Sequence, residues 1–355
     1  MEKFRVTPEN YFSSFGCYHV TPESPDGQHI AYVRWKDAPQ SPLGGDAVLC
    51  LCNNQFQQHE EVFDIKNLVV HNGGGTAWID NDHVQISSAW DGKVAGACII
   101  NVKTSRIVAG PYPKGTVLHA PCNRKVLMWV NDNMTSQGCG VYCLDLNKQV
   151  ISRICQNEDF TSWTAQMIRE TDNPADWHID HATWSPDGTK VAINIDAEFC
   201  KGWHNYLWTM NADGTDKIFF GLKPIHFGWY DNQSIWGNDK NVPGQLPHDG
   251  SLRLWDLKGN WIENLTGGEC NHGAMAPLRD CFVGETWYEA SPVELALYNR
   301  GASRPKEIIM SHQYVDVTWA LEAHVNPAFS ADGKRIYFNK AVSSELNEGW
   351  CAILG

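Results

Sequence analysis

With 355 residues, 43% of them hydrophobic and 19% charged, the chain can bury a large core without a disulfide or metal staple. A net charge of −13 leaves no basic surplus for nucleic acid, and no apolar run reaches the length of a membrane-spanning helix. Sixteen tryptophans and thirty glycines favour β-structure with many tight turns.

The opening stretch "MEKFRVTPENYF" has no apolar segment of the signal-peptide kind. Three glycosylation sequons, at Asn133, Asn232 and Asn264, keep secretion open beside a cytoplasmic location. Twelve cysteines are scattered without a CxxC pair, which weakens a zinc-ribbon reading. The first hairpin is "ESPDGQHIAYVRW" (23–35), where Ser-Pro-Asp-Gly supplies the turn and the residues after it alternate as a strand. Weaker copies follow at 78–90 and 122–130. A strong copy, "WSPDGTKVAINID", occupies 184–196, weaker ones lie at 229–238 and 277–287, and "FSADGKRIYFNKA" occupies 329–341.

The turns recur about every 51 residues, and most are followed some 25 residues later by a further short strand such as "AVLCLCN" or "LRLWDLKGNWI". Strand pairs at this period predict an all-β chain, a seven-bladed β-propeller with blades of four antiparallel strands, forming a single domain over 1–355. The last repeat stops at "GWCAILG" without an outer strand, so "KFRVTP" from the N-terminus is expected to close the last blade.

In a propeller the innermost strand of each blade lines the central channel and leads into the first hairpin. The residues just ahead of the turns are His119, His178, His181, His226, His272 and His324, the last followed by Asn326. Blade one offers His19, and blade two offers His71 in "HNGGG", whose glycines are read as leaving space. Imidazoles repeated in one register predict a shared polar site for metal ligation or proton transfer near neutral pH. The crowding of "HIDHATWSPDG" (178–188) then reflects a site and not the needs of a hairpin.

The segments "IHFGWYDNQSIWGN", "CNHGAMAPLRDCFVGE" and "AHVNPAFSADGKRIYFNKA", in this order and spacing, resemble the last three blades of oligogalacturonate lyases. The resemblance covers roughly residues 175–345, and "HATWSPDG" matches a His-led inner strand there. It implies a propeller enzyme that cleaves uronate-containing oligosaccharides by β-elimination with a bound divalent metal. Carried over, it places His226 at the proton-abstracting histidine and His272 and His324 at metal ligands. The family's Gln-x-x-His-x-His reads Leu321-Glu322-Ala323-His324-Val325-Asn326 here, so one ligand is missing and one imidazole has become an amide. Tyr206 stands where the family has an assisting arginine, closer to the His and Tyr pair of other propeller lyases acting on glucuronate-type polymers.

The expected roles follow from the chemistry. Proton removal α to a uronate carboxylate builds a dianion that a metal or cationic side chain must stabilise. His226 is expected as base, Tyr206 as acid or auxiliary base, and His181 on the carboxylate. His272, His324 and Asn326 are expected to hold Mn²⁺ or Ca²⁺, a mixed nitrogen and oxygen set suiting either better than zinc. His178, Asp180, His119 and Trp229 are expected to contact an acidic oligosaccharide or polysaccharide, with no nucleic-acid or membrane partner and a monomer or simple homo-oligomer as the acting species. Two alternatives remain at this level. One is a glycoside hydrolase using two of Asp180, Asp196 and Glu198. The other is a non-catalytic binding propeller of the TolB or WD40 kind, although only "LWDLKG" (254–259) approaches a Trp-Asp blade ending.

Overall fold

The computed structural model describes residues 1–39, 44–90, 94–131, 138–160, 162–163, 176–199, 202–221, 224–238, 250–268, 270–286, 292–312, 324–343 and 345–355. The fold is a seven-bladed β-propeller with blades of four antiparallel strands. Its contacts group residues 1–120 with 265–355 as one compact unit and residues 121–264 as another.

The first unit holds blades one, two, six and seven. The N-terminal strand Glu2–Arg5 lies antiparallel to Leu346–Ile353, pairing Glu2 with Ile353 through to Arg5 with Trp350. The start of the chain thus supplies the outer strand of the blade its end leaves short. A buried polar lock joins blades one and seven: Tyr337 donates to Glu23 Oε1 at 2.5 Å, and Arg335 reaches the same oxygen at 3.1 Å. Around it pack Ile30, Tyr32, Cys50, Cys52 and Cys351. Burial pushes the three thiols up, Cys50 to about 11 and the others to about 12, so they serve as small apolar fillers.

The second unit holds blade four, Asp176–Trp184 to Ile218–Gly221, and blade five, Ile225–Asp231 to Trp261–Asn264. It also holds the blade-three strands Lys125–Val130, Gly140–Asp145 and Val150–Gln156.

The Ser-x-Asp-Gly turns share one hydrogen-bond scheme. Ser24, Ser185 and Ser330 donate to Asp26, Asp187 and Asp332 at 2.6, 2.8 and 2.7 Å. Each Asp also accepts the N–H two residues on, from Gln28, Thr189 or Lys334. Each serine oxygen accepts the N–H five residues on, from His29, Lys190 or Arg335. Gly27, Gly188 and Gly333 take φ of +67°, +70° and +71°, where a side chain is strained. The three carboxyls are held below the usual range, Asp26 chiefly by the Ser24 hydroxyl and the others chiefly by the N–H of Thr189 and Lys334.

Neighbouring blades are tied at equivalent places. The Asp26 N–H bonds Asn81 in the next turn, and the Asp187 N–H bonds Asn232. Inner-strand indoles reach back to the preceding blade: Trp78 to Pro22 O at 2.8 Å, Trp184 to Lys125 O at 3.1 Å and Trp229 to Thr183 O at 3.3 Å. Each buried aromatic of this kind contributes about 1.5–3 kcal/mol of transfer energy. Among the described residues no helix is long and apolar enough to cross a membrane.

Candidate functional site

In the first unit the approaches to the inner strands bring Tyr18, His19, His119, His272 and His324 together. Tyr18 stacks on His272 with centroids 4.8 Å apart and planes 21° apart. The rings of His19 and His119 lie nearly parallel at 5.3 Å, and Tyr18 meets both edge-on. His324 stands edge-on to His272 at 4.5 Å. His119 is 5% exposed, and its carbonyl accepts Gln85 Nε2 at 2.9 Å.

Glu285 sits beside this group at 1% exposure. Its position follows from strand pairing: Gly273 faces Gly284, and the Glu285 N–H bonds His272 O, so the next cross-strand neighbour of His272 is Glu285. Glu285 Oε1 lies 2.5 Å from His272 Nδ1 and 3.9 Å from His324 Nδ1. Glu285 Oε2 accepts the backbone N–H of Asn326 at 3.0 Å. Burial raises the Glu285 carboxyl to about 7, against the opposing pull of His324 and the N–H donors.

His272, Glu285 and His324 each offer a donor atom, all within 4.8 Å of one another, which makes the group able to hold a metal ion. Asn326, 3% exposed and with φ of 44°, adds an amide whose Oδ1 accepts no hydrogen bond among the described residues. Two imidazoles with oxygen donors fit a divalent cation that accepts both nitrogen and oxygen ligands, such as Mn²⁺, whereas Ca²⁺ takes oxygen ligands throughout.

The glycines of "HNGGG" do not leave space, contrary to the sequence expectation. Gly73, Gly74 and Gly75 take φ of +54°, +64° and +67°. A Cβ on Gly73 would lie 2.1 Å from Phe15 O, one on Gly75 1.9 Å from Val117 O. The run is a tight packing device, and Asn72 within it, φ 52° and 3% exposed, accepts a hydrogen bond at Oδ1 from Asn326 Nδ2 at 2.9 Å.

In the second unit His181 and His226 meet edge-on at 6.4 Å. Both sit where an inner strand breaks register. Ile179 pairs with Ile195 but His181 with Asn194, leaving Asp180 as the extra residue of a bulge. Ile225 pairs with Asn238 and Gly228 with Trp236, with His226 at φ 46° between them. Bulges re-aim side chains next to sites, and a histidine at positive φ is a strained choice that surrounding structure has to hold. Asn131 holds the blade-four bulge, accepting the Ile179 N–H at 2.9 Å and donating to Ile179 O at 2.7 Å. Asp180 Oδ2 lies 2.9 Å from His181 Nε2, which fixes that ring. His178 is partly exposed two residues earlier on the same strand.

Tyr206 packs edge-on against Trp163 at 4.6 Å and beside Phe219, and burial pushes its phenol up to about 12. Such a phenol keeps its proton at neutral pH, which suits an acid and not a phenolate base. Trp229 is 7% exposed within the seam of Ala192, Leu207, Phe227, Ile235 and Trp255, its N–H spent on Thr183 O. Its structural place is an interblade staple, which offers little ring face to a sugar. Leu321 and Glu322 lie outside the described residues, as do the side chains of His71, Trp177, Asp196, Glu198 and Trp203.

Glu285 and Asn72 are the site residues that motif reading misses. An acid ending the apolar strand "CFVGE" is a signal for the first; a non-glycine residue leading a glycine run is one for the second.

No family model matches the sequence, and no curated protein matches it. Among solved structures the chain is similar to an oligogalacturonate lyase in complex with manganese, at 15% identity and TM-score 0.66, covering 99% of this chain and 93% of that one. An oligogalacturonate lyase from Vibrio parahaemolyticus matches at 13% identity and TM-score 0.65 over the same shares. A prolyl endopeptidase matches at 12% identity and TM-score 0.56, covering 93% of this chain and 46% of that one. The resemblance read from the last three blades thus extends over the whole fold. At these identities the likeness shows the fold alone.

Proposed function

We propose that the protein is a lyase that cleaves a uronate-containing oligosaccharide or polysaccharide by β-elimination. The buried His272–Glu285–His324 group with Asn326 beside it is the observation that supports this reading most, because it suits the cation that uronate elimination uses. When bound, Mn²⁺ would supply electrostatic stabilisation of charge developing on the uronate carboxylate. His272, His324 and Asn326 would hold it, with Glu285 beside them.

The protein's own groups would do the rest. His226 takes the proton α to the carboxylate, its neutral imidazole matched to the task near neutral pH. Tyr206, protonated across the neutral range, delivers a proton to the departing glycosidic oxygen, so the C–O bond breaks as the 4,5 double bond forms. His181, oriented by Asp180 at Nε2, donates to the substrate carboxylate through Nδ1 when its ring is protonated, and His178 and His119 contribute polar contacts to the sugar chain.

The test is ultraviolet absorbance of the unsaturated product during incubation with a panel of uronate oligosaccharides, with and without chelator. A rise that chelator and His226→Asn both suppress is expected. New reducing ends without absorbance would point to hydrolysis, and no turnover of any uronate would point to a binding propeller.

A further inference from the structure

We infer that Glu285 and Asn72 are positioning residues, Glu285 fixing the ring of His272 and Asn72 fixing the amide of Asn326, so that each ligand turns one defined atom to a divalent cation. The inference rests on the metal reading above and says which atoms bind.

Glu285 first. When ionised, as beside a bound cation, the carboxylate only accepts, so the 2.5 Å contact then puts the His272 proton on Nδ1 and leaves the lone pair on Nε2. The same oxygen takes Asn271 Nδ2 at 3.4 Å, and the other takes the Asn326 N–H at 3.0 Å. Both oxygens of this buried carboxylate are therefore engaged by protein donors. It works from outside the cation's shell, tying a blade-six imidazole to the blade-seven backbone that carries the amide. Partners of this kind hold a ligating histidine in one tautomer and one orientation.

Asn72 does the equivalent for the amide. Asn326 Nδ2 donates to Asn72 Oδ1 at 2.9 Å and to Gly16 O at 3.3 Å. The reversed amide would set its oxygen against both of these oxygens, so one orientation is fixed and Oδ1 is the atom left for a cation. Asn72 is itself fixed, because the glycines after it hold positive φ against the carbonyls of Phe15 and Val117. This gives "HNGGG" a purpose that hairpin chemistry does not.

The experiment is calorimetric titration of the metal-free protein with Mn²⁺ at one pH, with melting curves for every variant. Asn72→Gly, which extends a run of glycines, and Glu285→Gln are each expected to weaken Mn²⁺ about ten- to a hundred-fold. Asn72→Asp, whose carboxylate still accepts from Nδ2, is expected to bind close to wild type. With Co²⁺ in place of Mn²⁺, the visible bands should keep their positions in Glu285→Gln; shifted bands would make Glu285 a direct ligand and overturn its role. In metal-free wild type at alkaline pH, where Glu285 is ionised, nitrogen-resolved NMR should find the His272 proton on Nδ1, and a proton on Nε2 there would overturn the tautomer without any variant. Unchanged affinity in Asn72→Gly, with wild type binding, overturns this inference alone. Wild type that takes up no Mn²⁺ overturns it together with the metal reading.

Discussion

The two ends of the inner strands are built on opposite principles. At the hairpin end, Ser24, Asp26 and Gly27 satisfy one another within six residues, and the same scheme serves Ser185 and Ser330. At the approach end, satisfaction is non-local. Asn326 reaches back to Asn72, and Glu285 joins His272 to Asn326. Non-glycine residues at positive φ occur at both ends, His19, Asn72, His226 and Asn326 at the approaches and Asn123, Arg124 and Arg279 in hairpin turns. Local satisfaction sets the turn geometry within one hairpin; cross-blade satisfaction exists only where the fold brings separate blades together. The comparison teaches that the hairpin turns are set locally, whereas the approaches gather the buried histidines and Glu285 of the candidate site.

The hardest break of that contrast is His226→Asn. Asparagine tolerates positive φ, so the strand bulge survives while the imidazole is lost. Activity on uronate oligosaccharides is expected to fall about 10²–10⁴-fold with melting nearly unchanged. Tyr206→Phe should cost about 10²-fold or more in turnover and leave the aromatic packing in place, read as kcat against KM.

Gly75→Ala attacks the approach end through the backbone. Its Cβ would stand 1.9 Å from Val117 O at a φ of +67°, so a loss of about 3 kcal/mol in denaturant unfolding is expected. Gly27→Ala, where no atom lies within 4 Å of the added Cβ, should cost about 1 kcal/mol from its φ alone.

The Glu285 carboxyl gives a pH signature. Its folded value of about 7 lies above the ordinary carboxyl range, because burial disfavours the charged form. Folding therefore favours the protonated group. That contribution is full below the ordinary range and is lost as pH rises through about 7. With chelator present, wild type should lose stability relative to Glu285→Gln between about pH 5 and 8. Parallel curves for the two proteins would contradict this.

The smallest effect is expected at the hairpin end. Asp187→Asn keeps an acceptor for Ser185 and Thr189 and should leave activity intact with only a slight loss of stability. The Asp187 carboxyl is held low, so its stabilisation is present above the ordinary range and disappears only as pH falls below it.

The turn motifs were legible because their physics is local: the three Ser-x-Asp-Gly turns spell their own hydrogen bonds, and with four weaker hairpin copies at the same period they announce seven blades. The missing outer strand of the last repeat was legible for the same reason, and Glu2–Arg5 supplies it. His272, His324 and Asn326 stood out by register and resemblance, and the structure gathers them. His181 and His226 likewise come together, whereas Trp229 turned out to staple blades. Its role was hidden because an indole facing a neighbouring blade and one facing a sugar occupy the same strand position.

The sequence by itself thus determined the blade, its turn and the count of repeats, since each depends on contacts within a few residues. Only the tertiary structure decided that Glu285 faces His272, that Asn72 fixes Asn326 across 254 positions of chain, and that three glycines close a gap instead of opening one. Those choices rest on which backbone atoms of separate blades approach within hydrogen-bond distance, and no periodicity records that.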